Sequence, residues 1–190
     1  MNMLEIRVGE GIVARTPEII TSSGLGSCIV VTLYDLRQKI GGMAHIMLPY
    51  SIQMSDKHIV GHSRENGNPE LMKLDSCWSL SRTVIRGRND IYRFADTAVA
   101  SLLKEMLNEG ARIQDIIAKI IGGARMFEFD GDNQPRIGEQ NILGVLYILK
   151  KEGIPVIGKD IGGHHGRSVE FRLDSGKVVV KAIGMEDSEI

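Results

Sequence analysis

Two side chains suited to nucleophilic catalysis occur early in the chain: Cys28 and His45, which follows 17 residues later. An imidazole that accepts the proton of a nearby thiol creates a thiolate, which attacks a carbonyl carbon, and the imidazolium then protonates the leaving group. Small residues precede the cysteine, so the backbone N–H groups of Gly24, Gly26 and Ser27 could donate hydrogen bonds to the resulting oxyanion. The pattern indicates acyl-transfer chemistry.

The strands that carry this pair must bring its members together. The runs CIVVTLYD (28–35) and KIGGMAHIML (39–48) are rich in β-branched and apolar residues, which predicts an antiparallel hairpin. With a loop over 35–38, Tyr34 pairs with Lys39, and counting along both strands brings Cys28 directly opposite His45. Directly opposed Cβ atoms lie roughly 4.5–5.5 Å apart. The alternative is a buried cysteine and a core histidine with structural roles only.

The remaining pattern predicts the fold class. Short extended segments fill residues 3–22, a helical period starts at Ile91 and stops near Gly110, and a second helix is expected over 139–152. Apolar strands at 116–124 and 155–163 precede a hairpin that turns at 174–176. We expect one α/β (α+β) domain over 1–190, with mixed, largely antiparallel sheets in layers and two amphipathic helices outside. An insertion loop over 51–90 and a loose acidic tail over 185–190 complete the prediction.

Composition excludes several classes of protein. The net charge of −1 provides no overall positive field that would recruit nucleic acid. No apolar run approaches the roughly 18–20 residues of a membrane span, so the protein is not expected to be membrane-embedded. Two cysteines suit a reducing compartment, which predicts a cytoplasmic location. The 22 glycines among 190 residues predict many tight turns and close backbone approaches.

A metal site is a weaker hypothesis. His58 and His62 are four residues apart, as on one face of a helix, and Cys77 or the pair His164 and His165 could complete a zinc site. The region around 58–62 has no helical period, so we expect a solvated loop and no metal there.

Six segments of the chain match a known family in content and order. They are GLGSCIVVTLYD, GGMAHIMLP, FADTAVASLLKEM, AKIIGGARMF, IGEQN and DIGGHHGRSVEF. Together they resemble the chemoreceptor glutamine deamidase family, CheD, over most of residues 5–182, with 51–90 as the main departure. The resemblance implies a cytoplasmic enzyme that hydrolyses glutamine side-chain amides on the methylation helices of chemotaxis receptors, without a metal or organic cofactor.

The resemblance also implies roles for single residues. The family's nucleophile falls on Cys28 and its general base on His45, and the reaction passes through a thioester. The third member, a threonine in the family, falls on Ser22. Because Thr21 is adjacent, either hydroxyl could orient the imidazole.

Partners follow from the same resemblance: the cytoplasmic helices of chemoreceptors as substrate, and a CheC-type phosphatase. Arg82, Arg86 and Arg88 could dock the acidic receptor helices, although solvated surface arginines are the alternative. A second hypothesis for the whole protein is a non-catalytic chemotaxis regulator that binds receptors or a CheC-type phosphatase.

Overall fold

The computed structural model describes residues 2–51, 91–126 and 136–190. The strands in these ranges are β1 Met3–Ile6, β2 Gly11–Arg15, β3 Ile19–Leu25, β4 Ile29–Asp35, β5 Ile40–Ile46, β6 Ile116–Gly122, β7 Val156–Ile161, β8 Arg167–Arg172, β9 Lys177–Ala182 and β10 Ser188–Glu189. The helices are α1 Ala95–Asn108 and α2 Ile137–Lys151, and a short 3-10 turn, Ile113–Asp115, precedes β6. Apart from Ser51, the insertion predicted over 51–90 lies outside the described residues.

Two five-stranded sheets form the body of the protein. We call β1-β3-β8-β9-β10 the outer sheet and β2-β5-β4-β6-β7 the central sheet. Only β1 with β3 and β6 with β7 pair in parallel among the described strands, and the other neighbours are antiparallel. The predicted α/β class with mixed, largely antiparallel sheets is confirmed.

The elements stack as three layers. One apolar cluster joins the outer sheet to the central sheet, and a second joins the central sheet to α1 and α2. Strands β4 and β5 are buried along their whole length because they have a layer on each face. This double burial explains their almost uninterrupted apolar sequence, since a strand exposed on one face would alternate apolar and polar residues.

The register of the β4–β5 hairpin differs from our prediction. Asp35 belongs to β4 and pairs with Ile40, so the loop is 36–39 and His45 lies opposite Val30 instead of Cys28. The Asp35 carboxylate accepts hydrogen bonds from the backbone N–H groups of Arg37 and Gln38, and Lys39 takes a left-handed φ of 56°. Because the side chain of Asp35 organises the turn, the loop starts one residue later than we predicted.

The C-terminal segment also differs from expectation. Instead of a loose tail, residues 188–189 form β10 beside β9, and Glu189 makes a 2.8 Å ion pair with Lys177. Ile190 exchanges two backbone hydrogen bonds with Val178. The acidic composition therefore accompanies an edge strand that pairs with basic neighbours.

Candidate active site

His45 lies between the two sheets and is fully buried. Its Nδ1 atom is 2.8 Å from the hydroxyl oxygen of Ser22, which reaches across from β3 of the outer sheet. The Ser22 hydroxyl in turn donates a 2.9 Å hydrogen bond to the backbone carbonyl of Ile6 at the end of β1. Each sheet thus contributes to a single chain of buried hydrogen bonds.

This chain determines which imidazole nitrogen carries the proton. A serine hydroxyl has one hydrogen, and here that hydrogen is donated to Ile6. The oxygen of Ser22 must therefore accept from the imidazole, which places the proton of neutral His45 on Nδ1. Its Nε2 atom is left with a free lone pair, as a general base requires, and it is buried with no hydrogen-bond partner among the described residues.

Cys28 precedes the first residue of β4 and is half-buried. Continuing the hairpin register puts it one diagonal step from His45, on the side of the central sheet that faces the outer sheet. Diagonal neighbours are roughly 7–8 Å apart at Cα, and their Cβ atoms are somewhat closer. No hydrogen bond joins the Cys28 thiol to Nε2, and in catalytic pairs this bond often forms only once substrate is bound.

Burial keeps both groups uncharged near neutral pH. It raises the pKa of the Cys28 thiol, and the residue's own backbone N–H opposes this rise only in part. Burial also lowers the pKa of His45 to about 4. The resting pair is consequently a thiol and a neutral imidazole, and proton transfer must accompany nucleophilic attack.

Hydrogen bonds fix the backbone around Cys28. The carbonyl groups of Gly26 and Cys28 accept from the N–H groups of Ala124 and Gly123, both at 2.8 Å. The Ser27 carbonyl accepts from the side-chain amide of Asn141 at 2.9 Å. In a trans peptide the N–H points opposite to the C=O. The N–H groups of Ser27 and Cys28 are therefore held in set directions, and neither has a backbone acceptor elsewhere in the described part of the chain.

Asn141 was missed by sequence reasoning. It is fully buried on α2, and its amide nitrogen also donates to the Met47 carbonyl at 3.0 Å, next to the end of β5. Its Oδ1 atom is buried without a partner among the described residues. The helical period places Asn141 next to the apolar face of α2, within the IGEQN motif. A polar residue at that position was the signal that could have indicated a buried side-chain amide.

Comparison with known proteins identifies the family. A family model described as CheD chemotactic sensory transduction matches residues 81–182. Chemoreceptor glutamine deamidase CheD from Thermotoga maritima is 35% identical over 179 residues, covering 94% of this chain and 91% of that protein. The chain belongs to the CheD family. A probable chemoreceptor glutamine deamidase CheD from Clostridium acetobutylicum is 37% identical over 187 residues, with 97% and 94% covered.

The relatives extend the likeness to the part of the chain that holds Cys28 and His45. The family model matches residues 81–182, which exclude both residues, but the relatives cover nearly the whole chain. A further one, named probable chemoreceptor glutamine deamidase CheD, from Caldanaerobacter subterraneus subsp. tengcongensis, is 37% identical over 183 residues, which is 96% of this chain and 94% of that protein.

Of the two hydroxyls considered for orienting the imidazole, Ser22 is the one at His45. Thr21, which pairs with Glu5 and Glu170, is on the other face of β3 because side chains alternate along a strand. Gly24 has a φ of +72° at a β-bulge, with open space where a Cβ would lie. Arg82, Arg86 and Arg88 lie outside the described residues.

The described residues contain neither a metal cluster nor a helix that could span a membrane. Within 2–51, 91–126 and 136–190, no group of three or more His, Cys, Asp or Glu residues could hold a metal ion. His58, His62 and Cys77 lie outside these ranges. No helix in the described residues is long and apolar enough to cross a membrane.

Proposed function

We propose that this protein is a chemoreceptor glutamine deamidase, which hydrolyses receptor glutamine side chains to glutamate and releases ammonia. The observation that carries the proposal is the 2.8 Å contact between Ser22 and Nδ1 of His45, which leaves Nε2 free to accept a proton from Cys28. The names of the full-length relatives supply the substrate class.

The first half of the reaction forms a thioester. The Cys28 thiol gives its proton to Nε2 of His45 while Sγ attacks the carboxamide carbon, and the C=O π electrons move to oxygen. The N–H groups of Ser27 and Cys28 are the donors we assign to this oxyanion. When the C=O re-forms, the C–N bond breaks, and protonated His45 gives its proton to the departing nitrogen as ammonia.

The second half consumes one water molecule. His45, neutral again, takes a proton from water as the oxygen attacks the thioester carbon, and the C–S bond then breaks. The proton returns from His45 to sulfur, which restores the thiol and leaves the glutamate side chain. The low pKa of His45 makes its protonated form a strong proton donor to the departing nitrogen and makes its neutral form a weak base toward the thiol.

Location and partners are further parts of the proposal. We place the protein in the cytoplasm, where the helices of chemoreceptors present their glutamines, with a CheC-type phosphatase as a second partner. The two cysteines, which suit a reducing compartment, support the location. The arginines Arg82, Arg86 and Arg88 remain the proposed docking residues for acidic receptor helices.

One observation favours the second candidate, a non-catalytic regulator. The thiol and imidazole are not hydrogen bonded to each other, and both are uncharged at rest. A protein with this pair could bind receptors without converting them. The two functions differ in whether a small amount of the protein converts many receptor glutamines to glutamate.

Cys28→Ala is expected to abolish deamidation because it removes the nucleophile and leaves the base in place. The measurement is the conversion of receptor Gln to Glu by mass spectrometry, with enzyme at about one hundredth of the receptor concentration. Cys77→Ser, which alters the other cysteine, is the matched control and should retain activity. Equal turnover by Cys28→Ala would refute the assignment, and stoichiometric binding without conversion by the parent would favour the regulator.

A further inference from the structure

A buried amide connects the two strands that carry the candidate catalytic pair. Asn141 donates one hydrogen bond to the carbonyl before Cys28, at Ser27, and another to the carbonyl of Met47, which follows His45 by two residues. Ser27 lies two residues before β4 and Met47 directly after β5, and these two strands are neighbours in the central sheet. One side chain thus sets the spacing of the backbone on both sides of the reacting groups.

The helix holds this amide at close range. A Cβ on Gly138, one turn before Asn141, would lie 2.7 Å from the Gly123 carbonyl oxygen, and a Cβ on Gly144 would lie 3.1 Å from Pro49. These glycines let α2 approach the backbone on both sides of Asn141. Because a side-chain amide reaches only a few ångströms, this close approach allows it to contact both carbonyls.

We propose that Asn141 is a positioning residue that orients the Ser27–Cys28 peptide, so that the Cys28 N–H faces the oxyanion and the thiol faces His45. The role rests on the proposed function. It follows from peptide planarity: a carbonyl held by Asn141 fixes the N–H on the opposite side of the same peptide. Among the described residues Oδ1 has no hydrogen-bond partner, so the two bonds that the amide nitrogen donates are the ones that hold this side chain.

The test compares Asn141→Ala and Asn141→Leu with the parent, all in a Cys77→Ser background. The leucine keeps the branched shape and removes the donor hydrogens without adding a charge, so it covers the case in which the cavity left by alanine prevents folding. Tyr34→Phe is the matched control, because it also removes one buried side-chain donor to a backbone carbonyl, that of Leu173, away from the site. All are assayed well below their unfolding temperatures.

We expect kcat to fall about 10- to 100-fold in both Asn141 variants, with KM within about threefold, as when an oxyanion donor is misplaced. Tyr34→Phe should keep the parent's kcat. A kcat for the Asn141 variants within twofold of that of Tyr34→Phe would overturn the proposal, whatever their loss of stability.

Alkylation of Cys28 by iodoacetamide separates this proposal from the deamidase assignment, because it needs no substrate. The pH midpoint of the alkylation rate should rise by about half a unit in the Asn141 variants, since the Cys28 N–H no longer stabilises the thiolate. If the parent has no deamidase activity, the deamidase assignment is refuted, but the alkylation rates can still be compared. An unchanged pH midpoint of alkylation in folded Asn141 variants would then overturn the role of Asn141.

Discussion

At the scale of single residues, Ser22 determines what His45 can do. Its one hydrogen is committed to the Ile6 carbonyl, so it can only accept from the imidazole. Without a hydroxyl at position 22, the buried Ile6 carbonyl and the buried Nδ1–H of His45 would each lose a hydrogen-bond partner. The imidazole could then adopt either neutral tautomer. Ser22 consequently both pairs these buried polar groups and fixes the tautomer of His45.

Ser22→Ala should lower both activity and stability. We expect kcat to fall at least about tenfold, because the base loses the partner that fixes its tautomer. The free energy of unfolding should fall by about 2 kcal/mol, because two buried polar groups lose their partner. Steady-state deamidation and urea unfolding measure the two effects.

Ser22→Thr is the control for this prediction, since it keeps the hydroxyl at the same position. It should retain the parent's tautomer and most of its activity. Thr21→Ala, which alters the neighbouring hydroxyl on the other face of β3, should leave kcat unchanged. A Ser22→Ala variant as active as Thr21→Ala would contradict the assigned role.

At the scale of elements, α2 is held against the nucleophile region by residues that lack side chains. Gly138 faces the Gly123 carbonyl, and Gly123 itself faces Ile142 with a φ of +71°. Gly123 also donates the hydrogen bond that holds the Cys28 carbonyl. The helix and the loop before β4 are therefore coupled, and a shift of one would move the other.

Gly138→Ala tests this coupling through the sign of its effect. Helix propensity alone predicts a gain of about 1 kcal/mol for glycine to alanine inside a helix. The contact of 2.7 Å with a backbone oxygen predicts the opposite, a loss of about 1–3 kcal/mol together with lower kcat. Thermal unfolding and deamidation rates measure the outcome, with Leu143→Ala on the exposed side of α2 as the control. A stabilised, fully active Gly138→Ala variant would show that the contact is unimportant.

Elements were predicted from sequence better than the contacts between them. The period of apolar residues predicted both helices, and α2 begins at Ile137, two residues before the expected start. The hairpin strands were also predicted, but the loop was placed one residue early because the turn depends on the carboxylate of Asp35. Asn141 was missed because its partners, Ser27 and Met47, are distant in sequence and are brought to it only by tertiary packing.

At the scale of the whole molecule, the three-layer arrangement creates the electrostatic environment of the site. Each sheet supplies one face of the space around His45, with β3 carrying Ser22 and β5 carrying the imidazole. Strand order and sheet pairing could not be predicted from the sequence. The pattern of apolar residues in a strand does not show which other strand pairs with it. The roles of Cys28, His45 and Ser22 were predicted from the family resemblance. The stacking of the sheets buries His45, and this burial explains why its imidazole is neutral.

The buried His45 should make stability depend on pH. Its folded pKa of about 4 lies below the usual value of 6.5, so between these values the unfolded chain binds more protons. The stabilisation is present above about pH 6.5 and is lost as pH falls toward 4. Relative to His45→Gln, the parent should lose about 3 kcal/mol more between about pH 7.5 and pH 4.

Urea unfolding of both proteins at several pH values measures this difference. The comparison cancels other titrating groups, such as Asp35, whose pKa is held low by backbone N–H groups and the nearby Arg112 despite its burial. Identical pH dependence in the parent and the variant would show that His45 titrates normally in the folded state.

The uncharged state of Cys28 affects how fast its thiol is oxidised under oxidative stress. Peroxide reacts with thiolates far faster than with thiols, and sulfenic acid is the first product. A half-buried thiol whose pKa is raised presents little thiolate between turnovers. In the proposed reaction, the burial that shields Cys28 from oxidants also keeps its thiol uncharged until a substrate amide is in place.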